Sequence, residues 1–339
     1  MIEFNPKESD VVLEKNPRYK DLYAKTEGIR PFVFADENKK VNEFTEFESV
    51  THLIETIELL NQSGLIEACK ENGQNFHYNS SDDWTYGTTF NTREKTKEAL
   101  LNKEVSEQMW KTIDFLRDSL LKDEEIQRLM ELAPSIKKQR KFGSSGDDLD
   151  IDRVLAGDPE HWQYTTPGRK SNIIRIGINI AVSCGNQEDV FLKMAAIASV
   201  AADLVVKAGA ALEFVAVAFS KNTYMDDGSI YEGYNKTDSY DGYLIPIKRA
   251  EEPFDIANVA SLGIPGLFRH YIFSCKIGFG SYRTKMSLGQ AAKTPTHIYE
   301  RFGLKHVIEV SHTDSESGQK LFLNDIFKEL AGVRVEEPA

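Results

Sequence analysis

Residues 171–222, SNIIRIGINIAVSCGNQEDVFLKMAAIASVAADLVVKAGAALEFVAVAFSKN, hold the pattern that decides the fold. Residues 173–182 are almost continuously apolar and β-branched, which is typical of a central strand covered on both faces. Residues 188–207 are rich in alanine and apolar on more than one face, which predicts a helix packed closely against a sheet. Residues 212–219 repeat the strand pattern. A strand, a helix and a second strand in this order form the unit of a parallel sheet.

The segments that follow this unit extend the sheet. Residues 243–247 predict a third strand, and the polar, tyrosine-rich residues 222–241 before it predict a long hairpin or an exposed loop. Residues 305–310 predict a late strand, and residues 319–330 predict a final helix. The fold class that follows is α/β, with a doubly wound, mostly parallel sheet.

The amino-terminal part is predicted to be mainly helical. Thr92 is the expected N-cap of one helix, and a longer helix is expected from about Ser106 to Leu121. Residues 1–46 are polar and broken by prolines, which indicates mainly an irregular arm that could hold a short strand such as Pro31–Ala35. Residues 137–148 join a basic cluster, a Gly/Ser bend and an acidic run, which is typical of an exposed linker. We therefore expect two regions, a mainly helical one at 1–142 and the α/β domain at 143–339.

The composition limits the class of partner. The 339 residues carry a formal net charge of -12, which disfavours wholesale attraction to DNA, RNA or anionic lipid. No segment is long and apolar enough to cross a membrane, and the first six residues do not resemble a signal peptide. Cys69, Cys184 and Cys275 lie far apart and form neither a zinc motif nor a disulfide framework. These features predict a protein of the reducing cytoplasm.

Three segments carry a family resemblance. They are GDDLDIDR with GDPEHW at residues 146–162, RIGINIAVS at 175–183 and WTYGTT at 84–89. Together they resemble a family of phage and prophage proteins whose carboxyl-terminal region is similar to a von Willebrand factor A domain. The likeness covers most of residues 45–285. It implies a doubly wound sheet, a phage origin and, as a partner, an AAA+ ATPase of the MoxR type.

The resemblance also points to a position for a metal ion. A-type domains hold Mg²⁺ with a D-x-S-x-S motif at the end of a strand. The aligned positions here are Asn179, Ala181 and Ser183, so an amide replaces the carboxylate and a methyl group replaces one hydroxyl. Because Mg²⁺ needs oxygen ligands and usually a carboxylate, we expect no metal site and no cofactor. Asn179 and Ser183 are expected to satisfy backbone groups at the turn.

The expected function is protein binding by a non-enzymatic adaptor. Open α/β sheets place their ligands at the carboxyl ends of the strands, where the segment containing Ser183, Asn186 and Gln187 begins. Tyrosine rings give contact area at low entropic cost, so further contacts are expected from Tyr224, Tyr231 and Tyr234. The same tyrosines are equally compatible with packing inside their own loop.

A second class is a single-stranded nucleic-acid-binding factor that assists phage replication or transcription. Such proteins stack rings on bases and hold phosphates with cations. The candidate contacts combine both side-chain types: Lys137, Lys138, Arg140, Lys141, Arg269, Tyr271, Lys276, Tyr282, Arg283 and Lys285. The neighbouring Ile272, Phe273 and Ile277 are typical of a core, so residues 268–285 are left open as surface or core.

A third class is a hydrolase that uses Cys184 as its nucleophile. Cys184 precedes the amino terminus of the predicted helix, where a thiolate is stabilised. A cysteine nucleophile also needs a base, and no local Cys/His signature provides one. We therefore expect no catalytic residues.

Overall fold

The structure is a mixed α/β fold built on a six-stranded sheet. The computed structural model describes residues 29–35, 41–62, 92–132, 139–143, 148–159, 161–166, 173–182, 188–222, 239–272, 275, 294–313 and 315–330. The described strands are β1 (Arg30–Ala35), β2 (Val41–Glu46), β3 (Gln139–Gly143), β4 (Asp148–Leu149), β5 (Trp162–Thr166), β6 (Ile173–Asn179), β7 (Ala211–Asn222), β8 (Ser239–Lys248) and β9 (His306–Ile308).

The helices surround this sheet and the segments between its strands. The described α-helices are α1 (Val50–Gln62), α2 (Arg93–Asn102), α3 (Glu107–Leu121), α4 (Glu124–Leu132), α5 (Ile151–Leu155), α6 (Glu188–Lys207), α7 (Ile256–Ala260), α8 (Thr296–Arg301) and α9 (Glu316–Leu330). Two 3₁₀ helices cover Ser261–Gly263 and Val310–Thr313, and a π-helical turn covers Leu267–Ile272. Thr92 caps α2 through its side-chain oxygen, as predicted, and Ser106 caps α3 in the same way.

The large sheet has the strand order β1-β2-β8-β7-β6-β9. Strand β6 pairs in parallel with β7 on one side and with β9 on the other, and β2 pairs in parallel with β8. The pairs β1–β2 and β7–β8 are antiparallel. Three of the five neighbouring pairs are therefore parallel, which confirms a mostly parallel α/β sheet. The stem of the hairpin predicted at residues 222–241 is also present, because Asn222 pairs with Ser239.

Strand β7 is buried on both faces. Helix α6 lies against one face of β6 and β7 and shares an apolar cluster with both strands, whereas helix α8 lies against the other face of β7 and shares a second cluster with it. Ile173, at the start of β6, is 53 % exposed. Burying a large apolar side chain stabilises the fold by about 1.5–3 kcal/mol. Alternate side chains of β7 enter the two cores: Phe214, Ala216 and Ala218 pack on the α6 side, and Val215, Val217 and Phe219 pack on the α8 side.

Helix α6 brings the amino-terminal helices onto the same core. Its small residues include Ala198 and Ala201, both fully buried, and small side chains permit close packing of neighbouring elements. Ile113 of α3 belongs to the same apolar cluster, and Arg117 of α3 pairs with Asp203 of α6 at 3.1 Å. The boundary predicted between residues 142 and 143 therefore does not divide the described core.

Two segments predicted to be irregular form strands instead. Within residues 1–46 the short strand expected at Pro31–Ala35 is confirmed as β1, but β2 was not expected. Strand β2 pairs with β8, and Asn42 accepts a hydrogen bond from the backbone N–H of Tyr240 at 2.9 Å. The linker expected at residues 137–148 is wrong for Gln139–Gly143, which pairs with β5 in a second sheet of order β3-β5-β4. In both cases the partner strand lies elsewhere in the sequence, so local composition does not reveal the pairing.

Gly242 of β8 lies between two aromatic residues. It pairs with Phe44 of β2 and with Phe219 of β7, and the centroids of these two rings are 4.7 Å apart. A Cβ atom at Gly242 would lie 2.5 Å from Cδ1 of Phe219 and 2.7 Å from the carbonyl oxygen of Ala218. Only glycine therefore fits between the two rings at this strand spacing.

Gly242→Ala is expected to lower the free energy of unfolding by about 1–3 kcal/mol, because the added methyl group overlaps both a ring and the backbone. Gly318→Ala is the matched control. An added Cβ there, in α9, would come no closer than 3.4 Å to any neighbouring atom, so this change should stabilise the protein by about 0.5–1 kcal/mol. Urea denaturation measures both variants, and effects of equal sign would contradict the expectation.

Candidate functional site

The carboxyl edge of the central strands carries a buried polar group. Asn179 is the last residue of β6 and is paired with Val217 of β7. The backbone N–H of Ile180 extends this pairing by donating to the carbonyl oxygen of Val217 at 2.8 Å. The side chain of Asn179 is 5 % exposed. A buried amide must find hydrogen-bond partners inside the protein, because leaving it without partners costs about 1–3 kcal/mol.

Both ends of the Asn179 amide have partners. Its Oδ1 accepts hydrogen bonds from the backbone N–H of Ala181 at 3.1 Å and of Phe219 at 3.4 Å. Its Nδ2 donates to the hydroxyl oxygen of Tyr299 at 3.0 Å. The expectation that Asn179 satisfies backbone groups at the turn therefore agrees with the structure, and Ser183 lies outside the described residues.

Tyr299 connects the amide to a carboxylate. It lies on α8, its ring stacks on Phe219 with centroids 5.6 Å apart, and its hydroxyl donates to Oε1 of Glu309 at 2.7 Å. Glu309 follows β9, the other parallel neighbour of β6. The three side chains form one hydrogen-bonded series, Asn179–Tyr299–Glu309, which joins the end of β6 to α8 and to the end of β9. We call this series the edge network.

The electrostatics of the edge network keep Tyr299 neutral. Burial raises the pKa of the Tyr299 hydroxyl far above the value of an ordinary tyrosine, and the nearby negative charge of Glu309 raises this pKa further. The backbone N–H of Glu309 in turn donates to Nδ1 of His312 at 3.0 Å. In a neutral His312 the proton is therefore on Nε2.

The described side chains at this edge do not supply the oxygen ligands that a divalent cation needs. Asn179 is uncharged and its oxygen already accepts two N–H groups. Ala181 offers no side-chain oxygen, and the Glu309 carboxylate already accepts the Tyr299 hydroxyl. Hard cations such as Mg²⁺ need several free oxygen ligands. Among the described residues, no three His, Cys, Asp or Glu side chains come together where they would hold a metal ion.

The predicted partner-binding residues follow this edge in the chain but are not themselves described. Ser183, Asn186 and Gln187 belong to the segment that joins β6 to α6, and Tyr224, Tyr231 and Tyr234 belong to the segment that joins β7 to β8. Both segments leave the carboxyl ends of two parallel neighbouring strands. They therefore leave the sheet on the same side as the edge network, and the second segment begins five residues of β7 beyond the position paired with Asn179.

The structure corrects two of the predicted nucleic-acid contacts. Arg269 is 3 % exposed and Tyr271 is fully buried, both in the π-helical turn. The Arg269 guanidinium lies over the rings of Phe191 and Phe268, at 5.9 and 5.4 Å from their centroids. Packing inside the core therefore occupies the ring and cation that were expected to meet nucleic acid.

The other candidate contacts have no described side chains. Arg140 and Lys141 lie in strand β3, and their side chains are outside what the structure describes. Lys137, Lys138, Lys276, Tyr282, Arg283 and Lys285 lie outside the described residues altogether, as does Cys184. Cys275 is described and buried, and burial raises the pKa of its thiol well above the usual range, which disfavours the reactive thiolate.

Sequence reasoning missed Tyr299 and Glu309. Tyr299 lies 120 positions after Asn179 on a short helix, and nothing in its surroundings distinguishes it from a core tyrosine. Glu309 gave a usable signal, because it is the second-last residue of the strand predicted at residues 305–310. A carboxylate at the end of a strand that neighbours β6 in parallel lies at the same sheet edge as Asn179.

Comparison with known families gives one match. A family described as a domain of unknown function, DUF7192, matches residues 37–332. The chain belongs to the DUF7192 family. The match spans both the edge network and the amino-terminal helices, so all of the described core from β2 onward lies inside this DUF7192 domain. Comparisons with curated proteins and with solved structures find no match.

Among the described helices, none combines the length and the apolar character that a membrane span requires.

Tyr299→Phe is expected to lower the free energy of unfolding by about 1–3 kcal/mol. The change keeps the ring and its stacking on Phe219 but removes the hydroxyl that serves both Asn179 and Glu309. Urea denaturation near neutral pH measures the loss. A double-mutant cycle with Glu309→Gln tests the assignment, because the two changes should be less costly together than the sum of their separate effects. Strict additivity would contradict the edge network.

The stability of the wild-type protein relative to Tyr299→Phe should depend on pH in alkaline solution. The folded protein keeps the Tyr299 proton, because its pKa is raised, whereas in the unfolded chain this hydroxyl ionises at about pH 10. The contribution of Tyr299 is therefore complete below about pH 10 and decreases above it, by up to about 1.4 kcal/mol per pH unit. Urea denaturation from about pH 8 to about pH 11 should show the two proteins converging. A constant difference in stability would contradict the assignment.

Proposed function

We propose that this protein is a non-enzymatic adaptor that binds a protein partner at the carboxyl edge of β6 and β7, without a metal ion. The observation that carries the proposal is the edge network. An amide, a phenol and a carboxylate already satisfy one another at this edge. Because these groups bond to one another, the described residues at this edge leave no free oxygen ligands for a cation.

The described fold supports a domain similar to the von Willebrand A type. Its central strand β6 has parallel neighbours on both sides, and α6 and α8 lie against opposite faces of β7. These features are consistent with the doubly wound arrangement that the family resemblance implies. Phage origin, the host cytoplasm and an AAA+ ATPase of the MoxR type as the partner belong to the same proposal, and they rest on the resemblance.

The chemistry of the edge favours binding over catalysis. A general base must release and accept a proton near the working pH. Tyr299 is held in its protonated form, and the Glu309 carboxylate is engaged by it. The buried Cys275 thiol is likewise held protonated. The described groups therefore stabilise one another and leave no activated nucleophile at this edge.

Two segments of the chain begin at this edge and supply the proposed contact surface. Residues 183–187 follow β6, and residues 223–238 follow β7. The second segment carries Tyr224, Tyr231 and Tyr234, and tyrosine is enriched among residues that dominate binding energy. Tyrosine-bearing segments that leave a packed sheet are well suited to protein recognition, because tyrosine gives contact area at low entropic cost.

The test is affinity capture from host cells with three forms of the full chain. The wild type, the variant Tyr224→Ser/Tyr231→Ser/Tyr234→Ser and the control Phe115→Ser are compared, each in EDTA and in Mg²⁺. Phe115 is 73 % exposed on α3, so its loss removes an exposed ring from another surface. A defined protein should be retained by the wild type and the control in both buffers, and lost from the tyrosine variant.

Two results would contradict the adaptor proposal. The first is retention of the partner in Mg²⁺ but not in EDTA, which would show that a cation completes the surface. The second is salt-sensitive binding of a labelled single-stranded oligonucleotide by the wild type with no protein partner retained. That result would favour the nucleic-acid-binding class in spite of the buried Arg269 and Tyr271.

A further inference from the structure

The small helix α5 presents an apolar face to solvent. Ile151, Val154 and Leu155 are 66 %, 41 % and 80 % exposed. They stand at positions i, i+3 and i+4, so they share one side of the helix. We call this side the α5 face. Contiguous exposed apolar side chains on a folded protein commonly mark an interaction site.

Helix α5 is held firmly at both ends. Asp150 precedes it, and its Oδ1 accepts the backbone N–H of Arg153 at 3.1 Å. Gly157 follows it with a φ of +73°, and the backbone N–H of Asp158 donates to the carbonyl oxygen of Arg153 at 3.0 Å. The strands β4 and β5 on either side pair with each other. Helix α5 is therefore held in place between two paired strands of the second sheet.

The sequence that contains and flanks α5 is strongly acidic. Residues 147–160 contain six carboxylates, Asp147, Asp148, Asp150, Asp152, Asp158 and Glu160, and one basic side chain, Arg153. The guanidinium of Arg153 pairs with Asp158 at 3.0 Å, so its charge is compensated within the loop. A partner that covers the apolar side chains must come close to this excess of negative charge.

The charge selects one class of occupant. A second copy of the chain would bring the same carboxylates and its own net charge of -12, and like charges brought together at an interface oppose association. An anionic membrane surface is disfavoured for the same reason. A segment with apolar side chains flanked by lysine or arginine complements both properties of the face.

We propose that the α5 face binds a basic amphipathic helix of a partner protein, with Ile151, Val154 and Leu155 covered by its apolar side and its cations attracted by the acidic sequence that flanks α5. Recognition of such a helix through apolar anchors at helical spacing is a common mode of peptide binding. The α5 face belongs to the helix that joins β4 to β5 of the second sheet, and it does not involve the edge network. It is therefore a second contact surface, whose existence does not depend on the function proposed above.

The test uses a fluorescein-labelled synthetic peptide of leucine and lysine, patterned to form an amphipathic helix, and the full chain. Fluorescence anisotropy should show saturable binding that weakens as salt rises. A scrambled peptide of the same composition and an analogue with glutamate in place of lysine should bind at least about tenfold more weakly.

Three variants locate the binding. Ile151→Ser/Leu155→Ser should weaken peptide binding at least about tenfold, because it removes the apolar contacts. Leu155→Met keeps the side chain apolar and should bind as the wild type does. Leu321→Ser is the matched control, since Leu321 is 64 % exposed on α9, and it should also leave binding unchanged. An unaltered thermal unfolding midpoint confirms that the serine variant is folded.

Several outcomes would overturn the proposal. They are absence of peptide binding to the wild type, equal binding of the glutamate analogue, and equal loss in the Leu321→Ser control. Sedimentation equilibrium supplies a further one. A wild-type dimer that Ile151→Ser/Leu155→Ser converts to monomer would assign the α5 face to a second copy of the chain.

Discussion

The burial of β7 on both faces is the constraint on which the rest of the structure depends. Helices α6 and α8 exclude water from the two sides of this strand. Polar groups where the strands end must then find partners within the protein, because an unpaired buried group is costly. Asn179 meets this requirement with two backbone N–H groups and the Tyr299 hydroxyl.

The same constraint explains the chemistry of the sheet edge. Glu309 would be an unfavourable charge beside a buried strand end without a strong donor, and the Tyr299 hydroxyl at 2.7 Å is that donor. Because the phenol serves both the amide and the carboxylate, the end of β6, helix α8 and the end of β9 are held in one arrangement. A divalent cation would have to displace these bonds, and it would gain only one carboxylate in return.

The two proposed surfaces differ in physical character. The sheet edge contains a buried polar network and is followed in the chain by tyrosine-bearing segments. The α5 face is apolar and is flanked in sequence by acidic residues. They belong to different sheets, so one partner at each surface would not compete for the same residues. An adaptor needs two such surfaces, and the contrast in charge and polarity would keep its two partners distinct.

The sequence alone determined what depends on neighbours a few positions apart. The cap at Thr92, the helix that begins after Ser106, the bounds of α6 and the parallel strands on either side of it follow from periodicity and capping within single segments. That position 179 carries an uncharged amide was equally clear, because it is the identity of one side chain. Only the tertiary structure decided that β2 joins β8, that Gln139–Gly143 is a strand, that Arg269 is buried and that Tyr299 and Glu309 meet Asn179. These contacts join segments far apart along the chain, and their energy comes from pairing and burial that no local pattern encodes.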